Sequence, residues 1–393
     1  MKKLSIGIVC HEATMHGGAN QSLFDWLDKA DQSHTDYYII VPSWDKQPDD
    51  SIREEFSQIG INVRRAPYMR ETYSYREETA LPGKLKSLLS CAIRCAYLLI
   101  AEKPLACLAA KQLENVHLDA IISNSYATCF GYSLAQAMGI PHIWYVREYL
   151  PSMKLQYPSF YDLAAASENS AAISISEYIA KQYVNTFKET LVIHDRIALP
   201  PSPECADLRF TADPVRILSV GALTKRKRHN VIIDAVAIAI SHGFNVLLEI
   251  YGEGEEEASL KKQIEQLGLQ KNVYLKGFVE NLHSARKMAD IAVTASEAEG
   301  LGRVSIEAMW ASNLVIASKD GFNTYLIEDG KNGLLFPLDD SRGLADKIEW
   351  SICNKAAARK LIKNGRATAS TYTEDISNAI GAYISKQLGG NVD

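Results

Sequence analysis

The chain has 393 residues, more than one ordinary hydrophobic core serves, so two domains of similar size are expected. Its net charge of -5 gives no overall reason to expect nucleic acid as a partner. The seven cysteines are odd in number and scattered, without the spacing of a zinc site or a disulfide framework. Packing is therefore the simpler role for them, including the pair Cys91 and Cys95, and a reducing cytoplasm is the expected location.

Short apolar runs alternate with helical patterns in both halves of the chain. The first run continues directly into a glycine loop, which predicts a first strand and not a signal peptide. Short buried strands separated by helices indicate parallel sheets covered on both faces, an α/β fold. The predicted strands span residues 4–10, 37–41, 63–65, 120–123, 142–146, 171–175, 191–194, 215–220, 246–251, 273–276, 291–295, 314–317 and 333–336.

Residues 198–214 are rich in proline and small residues and predict a linker between the two halves. We place the domain boundary near residue 205. The predicted domains are therefore 1–205 and 206–375, followed by a C-terminal helix at 376–393.

Two carboxylates, Glu299 and Glu307, lie eight positions apart across a glycine-rich turn. The apolar run before the turn predicts a buried strand, and residues 304–311 have helical spacing, so the turn joins a strand to a helix. Backbone amides at a helix start attract anions. A carboxylate on each side of such amides suits a nucleotide-sugar, which carries phosphates between two polyols. A capping turn that binds no ligand would use the same residue types.

The longer string EGLGRVSIEAMWASNLVIAS, residues 299–318, resembles the signature of retaining glycosyltransferases of family four. That family has the GT-B fold, in which two Rossmann-like domains with parallel sheets face each other across a cleft and the last helix crosses back to the first domain. The resemblance is strong from about residue 215 to 340 and thin before it. It implies that Glu307 holds the ribose hydroxyls and Glu299 the hydroxyls of the donor sugar. The diphosphate would lie at the amides of Gly300, Leu301, Gly302 and Arg303.

A basic loop, residues 225–228, follows a predicted strand and Gly221. Such charge runs are most often solvated turns. This one is expected at the carboxyl end of a parallel sheet, where such folds bind ligands. In the family pattern Lys227 falls on a lysine that neutralises the departing diphosphate. The arginine of that pattern is Ala222 here, and either Arg226 or Arg228 would have to supply the missing charge.

Three further turns can be compared with known sequence patterns. Gly17 and Gly18 resemble the family's Gly-Gly-Ala turn beside the donor diphosphate, although an ordinary tight turn would use the same glycines. The turn at 252–254 lacks the third glycine of a dinucleotide fingerprint, because position 257 is glutamate, which argues against a dehydrogenase. The turn that contacts the nucleobase in the family corresponds to Phe278 and Val279.

Two positions depart from the family. Arg147 occupies the place where many relatives have a histidine, within a Trp-x-x-Arg-Glu string that resembles some polysaccharide and lipopolysaccharide enzymes. An ion pair at a strand end is the alternative role for Arg147. The nearby His142 is expected to face into the sheet layer. Tyr325 stands where the family usually has a glutamate that reads a sugar hydroxyl.

The resemblance implies a retaining, hexosyltransferase-type enzyme that moves a sugar from a nucleotide-diphosphate donor to a hydroxyl of a glycan or lipid-linked glycan. Glu299, Lys227 and Arg147 would be its catalytic residues, and no bound metal or other cofactor is expected. Two alternatives stay open: a GT-B sugar-nucleotide epimerase, and a non-catalytic protein that binds nucleotide-sugars. The apolar stretch 84–112 would be a packed helix or a peripheral membrane surface near the acceptor, and we favour the packed helix.

Overall fold

The computed structural model describes residues 3–15, 18–30, 32–44, 51–69, 100–149, 170–201 and 205–389. The chain divides into two compact units. The first unit comprises Met1–Arg196 and Asp375–Asp393, and the second comprises Ile197–Glu374. The boundary near residue 205 stays a prediction. Within the second unit, the Ile197 N–H donates to the Tyr372 carbonyl at 2.8 Å and the Trp310 indole N–H donates to the Pro200 carbonyl at 2.7 Å.

The first unit contains a seven-stranded parallel sheet in the order β3-β2-β1-β4-β5-β6-β7. Its described elements are β1 Leu4–Val9, α1 Gly18–Leu27, β2 Thr35–Trp44, α2 Ser51–Gln58, β3 Asn62–Met69, α3 Glu102–Gln112, β4 Ala120–Ser123, α4 Phe130–Met138, β5 His142–Val146, β6 Ser170–Ser174, α5 Glu177–Gln182 and β7 Thr190–Val192.

The second unit contains a six-stranded parallel sheet in the order β10-β9-β8-β11-β12-β13. Its elements are β8 Val215–Val220, α6 His229–Ser241, β9 Val246–Tyr251, α7 Glu257–Gln266, β10 Val273–Leu275, α8 His283–Met288, β11 Ile291–Thr294, α9 Arg303–Trp310, β12 Leu314–Ser318, α10 Asn323–Leu326, β13 Leu334–Phe336, α11 Ser341–Cys353 and α12 Lys355–Ser370. Short 3-10 turns lie at Ala206–Leu208, Lys225–Lys227 and Thr371–Thr373.

Every predicted strand is present, with ends that differ by a few residues. The two parallel sheets confirm the α/β class. In the second unit, helices α6 and α11 bring Val231, Ile232 and Ile348 into one buried cluster with the strand residues Ile217 and Ile250. The strands are continuous apolar runs without polar alternation, which is typical of strands buried on both faces. Helices supply that cover here.

The C-terminal helix α13, Ser377–Gln387, is part of the first unit. The Tyr383 hydroxyl donates to the Ala172 carbonyl in β6 at 3.1 Å. Lys386 forms an ion pair with Glu189 at 2.5 Å. The chain thus returns to the sheet in which it began.

Part of the apolar stretch 84–112 lies in helix α3, where Ala106 and Ala109 are buried and Leu108 is half exposed. Residues 84–99, with Cys91 and Cys95, lie outside the described residues. Among the helices that are described, none combines the length and apolar character needed to cross a bilayer.

Asp290 links the segment that precedes β8 to the sheet of the second unit, and replacing Asp290 tests that link. Its buried carboxylate accepts the N–H of Phe210 at 2.6 Å and of Arg216 at 3.0 Å. Asp290→Ala leaves both amides without an acceptor, so we expect the free energy of unfolding to fall by about 3 kcal/mol. The matched control is Asp207→Ala, which removes an exposed ion pair with Lys363 and should change stability by about 0.5 kcal/mol or less. Equal effects in urea denaturation would contradict the assignment.

Candidate functional site

The predicted donor-binding residues of the second unit lie at one edge of its sheet. Gly221 follows β8, and Glu299 lies in the loop after β11, which is the next strand in the sheet. Parallel strands place all their carboxyl ends at the same edge, so these two loops are neighbours. The order of the six strands is the doubly wound order, and β8 and β11 flank the point at which it reverses.

Glycines shape the loop after β8. Gly252 has φ +143°, and a Cβ added there would lie 2.0 Å from the Gly221 carbonyl oxygen. A Cβ on Gly254 would lie 2.4 Å from the Leu223 carbonyl oxygen. The turn after β9 therefore serves as a surface on which the β8 loop packs closely, because only glycine leaves room for that backbone.

Lys227 and Glu299 form the central ion pair of this edge. The Lys227 ammonium donates to Glu299 Oε1, and both side chains are mostly buried. The Arg226 guanidinium lies 3.7 Å from the same oxygen and donates to the Glu297 carbonyl at 3.1 Å. Arg226 is half exposed. Two cations from one loop thus converge on one carboxylate from the next.

The charge state of Glu299 follows from this arrangement. Burial by itself raises the pKa of a carboxyl. Here the charges of Lys227 and Arg226 outweigh burial, and the pKa of Glu299 lies below its ordinary value. Glu299 is therefore a carboxylate at neutral pH, able to accept hydrogen bonds from hydroxyl groups.

Arg228 has different partners. Its guanidinium donates to Asp339 at 2.5 Å and to Glu297 at 2.8 Å. These two bonds are both to carboxylates, and they raise the pKa of Arg228 although burial opposes them. Of the two arginines considered for the charge missing at Ala222, Arg226 is the one beside Glu299.

Glu307 is held by two arginines. It lies on α9, where Arg286 of α8 donates to its Oε2 and Arg303, one turn earlier, is 3.8 Å from its Oε1. The Arg286 side chain is largely buried, and no hydrogen-bond partner of its Nε lies among the described residues. The two carboxylates of the sequence motif are therefore both charge-balanced, by separate sets of cations.

The turn at 300–302 places the start of α9 beside Glu299. Gly302 has φ +69° and caps the helix, its carbonyl accepting the N–H of Ser305 at 2.9 Å. Leu301 is buried. Gly321 packs against the Glu299 backbone, since an added Cβ would lie 2.5 Å from the Glu299 nitrogen. This packing fixes the backbone on both sides of the carboxylate.

The residues predicted to contact the nucleobase are exposed, and so is Tyr325, which departs from the family pattern. Phe278 and Val279 are exposed, and the Phe278 N–H donates to Glu253 at 3.4 Å. An exposed aromatic ring at this edge is compatible with a nucleobase contact. Tyr325 is half exposed and stacks on Phe322 with ring centroids 6.0 Å apart.

In the first unit, Arg147 forms the ion pair that was the alternative to a catalytic role. Its Nη1 donates to Asp195 and its Nε donates to Asn124 at 2.9 Å, while the guanidinium lies over the Tyr145 ring at 3.9 Å. His142 is buried in the sheet layer, 2.8 Å from the Ser123 hydroxyl. Gly18 begins α1 with open space around it, and Gly17 lies outside the described residues.

Sequence reasoning missed several partners that the structure supplies. Arg286, Glu297, Asp339 and Asp195 hold predicted site residues, yet none stands within a motif. Their partners are 21 to 111 positions away in the chain, so local spacing carries no signal for them.

The chain is similar in sequence to known glycosyltransferases. Residues 205–368 match the family described as Glycosyl transferases group 1. The chain is 28% identical over 163 residues to the lipopolysaccharide core biosynthesis glycosyltransferase LpsE of Rhizobium meliloti (strain 1021), a span of 42% of this chain and 47% of that protein. It is 24% identical over 235 residues to the poly(ribitol-phosphate) alpha-N-acetylglucosaminyltransferase of Staphylococcus aureus (strain COL), 59% of this chain and 47% of that protein. The chain thus aligns with about half the length of each relative.

The whole chain has the GT-B fold. It matches the crystal structure of Anabaena Alr3699/HepE in complex with UDP and glucose with a TM-score of 0.75 and 20% identity, over 98% of this chain and 100% of that one. It also matches a structure of S. aureus TarM with a TM-score of 0.71 and 15% identity, over 99% and 100% of the two chains. At these identities the likeness shows the fold alone.

A glycine substitution tests the close packing of the two turns. Gly252→Ala places a Cβ against the Gly221 carbonyl at a φ that L residues rarely adopt, so we expect a loss of about 3 kcal/mol or more in unfolding free energy. Gly268→Ala is the matched control, because Gly268 also has a positive φ but no atom lies within 4 Å of the added Cβ. It should lose about 1 to 2 kcal/mol, the cost of the left-handed backbone for an L residue. Similar losses in both variants, measured by chemical denaturation, would show that the packing is unimportant.

Proposed function

We propose that this chain is a cytoplasmic, retaining glycosyltransferase that moves a hexose-type sugar from a nucleotide-diphosphate sugar to a hydroxyl of a glycan or lipid-linked glycan. The observation that carries the proposal is the convergence of Lys227 and Arg226 on Glu299, beside the amide end of α9. Cations and amides suit a diphosphate, and an ionised carboxylate suits sugar hydroxyls. Groups suited to the diphosphate and to the sugar of a nucleotide-sugar thus lie in adjacent loops.

The chemistry of transfer follows from these charges. Breaking the bond between sugar and diphosphate leaves negative charge on the departing phosphate oxygen. Lys227, Arg226 and the amides at 300–303 would stabilise that charge. Stabilisation of developing charge by preorganised groups is usually the largest single contribution to catalysis. Because side chains and backbone supply this positive charge, we propose that the step uses no metal ion.

The second carboxylate would hold the nucleoside. Arg286 and Arg303 keep Glu307 oriented on α9, and a ribose diol can donate both hydroxyls to one carboxylate. Exposed Phe278 and Val279 would contact the base. UDP is the nucleotide to test first, because the similar Anabaena structure is in complex with UDP and glucose.

The named activities of the relatives support an acceptor hydroxyl on a polymer, either a glycan or a polyol phosphate. LpsE acts in lipopolysaccharide core biosynthesis, and the S. aureus relative transfers N-acetylglucosamine to poly(ribitol-phosphate). We therefore propose an acceptor hydroxyl on a surface polysaccharide, lipopolysaccharide or related glycan.

The two carboxylates should separate in their effects. Glu307→Ala should weaken UDP binding by about 10- to 100-fold, because charged hydrogen bonds to the ribose are lost. Glu299→Ala should spare UDP binding and lower transfer from the UDP-sugar. Calorimetry with UDP and turnover assays measure the two effects, with Glu265→Ala on the exposed face of α7 as the control. Small and equal effects of both variants would reject these roles.

The role of Lys227 is tested by its effect on turnover. Lys227→Ala is expected to lower the transfer rate by about 100-fold or more, because it removes a cation from the departing diphosphate. Lys225→Ala, an exposed lysine of the same loop, is the matched control and should keep a near-normal rate. If Lys227→Ala is almost fully active while Arg226→Ala is not, the role belongs to Arg226.

The product should keep the anomeric configuration of the donor. The chain resembles a family for which a retaining mechanism has been proposed. In that mechanism the departing diphosphate helps to take the proton of the attacking hydroxyl on the same face of the sugar, so phosphate-binding groups replace a dedicated base. Proton NMR of the product reports the configuration through the coupling of the anomeric proton. An inverted product would reject this mechanism and leave the proposed donor site unaffected.

A further inference from the structure

The second unit contains a cavity at the sheet edge opposite the proposed donor site. Its volume is about 730 Å³, and the turn at 329–331, β13 and the helices α11 and α12 line it. The turn precedes β13, so it lies at the amino edge of the parallel sheet. The loops after β8 and β11 lie at the carboxyl edge. The cavity and the donor site therefore have no residue in common.

Hydrogen bonds and an ion pair hold the walls of this cavity together. Asn364 Nδ2 in α12 donates to the Lys331 carbonyl at 2.7 Å, and the Lys347 ammonium in α11 lies 3.4 Å from Asp329 Oδ2. The other carboxylate oxygen of Asp329 accepts the N–H of Leu335 in β13 at 2.9 Å. The turn is thus joined to both helices and to the strand. Such a cavity needs little ordering when a ligand binds.

Apolar side chains form one part of the lining. Leu334 in β13 and Leu361 in α12 line the cavity and are themselves buried. Trp350, near the end of α11, also lines the cavity, although it is 38% exposed. No hydrogen-bond or ring partner of its indole lies in the part of the chain that the structure describes. A large exposed ring beside a buried apolar floor suits a ligand that has an apolar face.

Polar groups of both charge signs accompany the indole ring. Lys360 in α12 and Asp346 in α11 line the cavity, and neither has an ion-pair partner among the described residues. The other two lysines of the lining are each paired with a carboxylate. The Lys360 ammonium is therefore available to donate hydrogen bonds, and the Asp346 carboxylate is available to accept them.

This combination of groups favours a neutral ligand that carries hydroxyl groups. A phosphate or carboxylate would be attracted by Lys360 and repelled by Asp346 and Asp329, and for a cation the signs are reversed. A hydroxyl both donates and accepts, so neighbouring hydroxyls can bond to an ammonium and to a carboxylate. The C–H groups on one face of a pyranose ring form an apolar surface that can pack on the negative face of an indole. A sugar ring has both properties.

We propose that this cavity binds a pyranose ring of a neutral glycan. Trp350 packs against the apolar face of the sugar, and Asp346 and Lys360 bond to its hydroxyls. The volume of about 730 Å³ lies within the range of roughly 300 to 1,000 Å³ found for small-ligand cavities. The site only binds, and the inference does not rest on the proposed donor site. A glycan bound at this edge stays attached to the protein, which raises its local concentration.

The Trp350 indole N–H provides a readout that is specific to this cavity. Proton–nitrogen NMR of the labelled full-length protein separates the indole resonances, and the one that is missing in Trp350→Phe belongs to Trp350. The probes are the methyl glycosides of glucose, galactose and N-acetylglucosamine, with inorganic phosphate as the anionic comparison. We expect a saturable shift of the Trp350 resonance with at least one glycoside and no shift with phosphate.

Two substitutions test the polar contacts through the same resonance. Asp346→Ala and Lys360→Met should each weaken glycoside binding by about fivefold or more, because each removes a hydrogen bond to a charged group. The matched control is Glu265→Ala, which removes an exposed carboxylate on α7 and should leave the affinity within about twofold.

The contribution of the ring is read at the Gly330 amide, which also borders the cavity. Trp350→Ala should weaken glycoside binding by about 10-fold or more, because the packing surface for the sugar is lost. Tyr274→Ala is the matched control, since it removes a ring that is 39% exposed from β10, the outer strand on the other side of the sheet. It should leave the affinity unchanged.

The outcomes distinguish this site from the donor site. No shift of the Trp350 resonance with any glycoside up to about 50 mM overturns the inference, and so does a shift with phosphate alone. Unchanged glycoside affinity in Asp346→Ala, Lys360→Met and Trp350→Ala overturns it as well. Calorimetry with UDP on the same samples should give equal affinities in all variants. If the unchanged protein does not bind UDP, the proposed donor function fails while a glycoside shift at Trp350 still supports this site.

Discussion

The ion pair between Lys227 and Glu299 is the interaction on which the candidate donor site depends. A mostly buried carboxylate is unfavourable unless cations compensate for the lost water, and here Lys227 and Arg226 do so. The two loops meet because β8 and β11 are neighbours in the sheet. Gly252 and Gly254 allow the lysine loop to lie close to the sheet edge. The close packing of the two turns therefore places the cations of the lysine loop beside Glu299.

This pairing also prepares the site for a charged ligand. Both members of the ion pair are proposed partners of the nucleotide-sugar, one for the diphosphate and the other for the sugar hydroxyls. Each is already largely desolvated and oriented before the ligand arrives. Preorganised charges reorganise little during the reaction, and that is the source of their effect on rate. A surface lysine with free rotation would lose more entropy on binding the same phosphate.

The sequence predicts those parts of the protein that depend on local patterns. All the strands follow from apolar runs bounded by turn residues, and the spacing of Glu299 and Glu307 identifies the strand-to-helix turn that carries them. The contacts that tune these residues are tertiary. Arg286 reaches Glu307 from another helix, and Asp195 reaches Arg147 from 48 positions away. The hydrogen bond between the Ile197 N–H and the Tyr372 carbonyl is of the same kind, because it joins distant parts of the chain.

Two glutamates show how the fold assigns different chemistry to one residue type. Glu299 is buried beside two cations, and they keep its pKa low. Glu148 is partly buried near an arginine that already pairs with Asp195, and the loss of water around its carboxyl raises its pKa. Burial acts in the same direction on both, so the available positive charge decides the outcome. Because the deciding partners come from distant strands, the difference arises only in the folded chain.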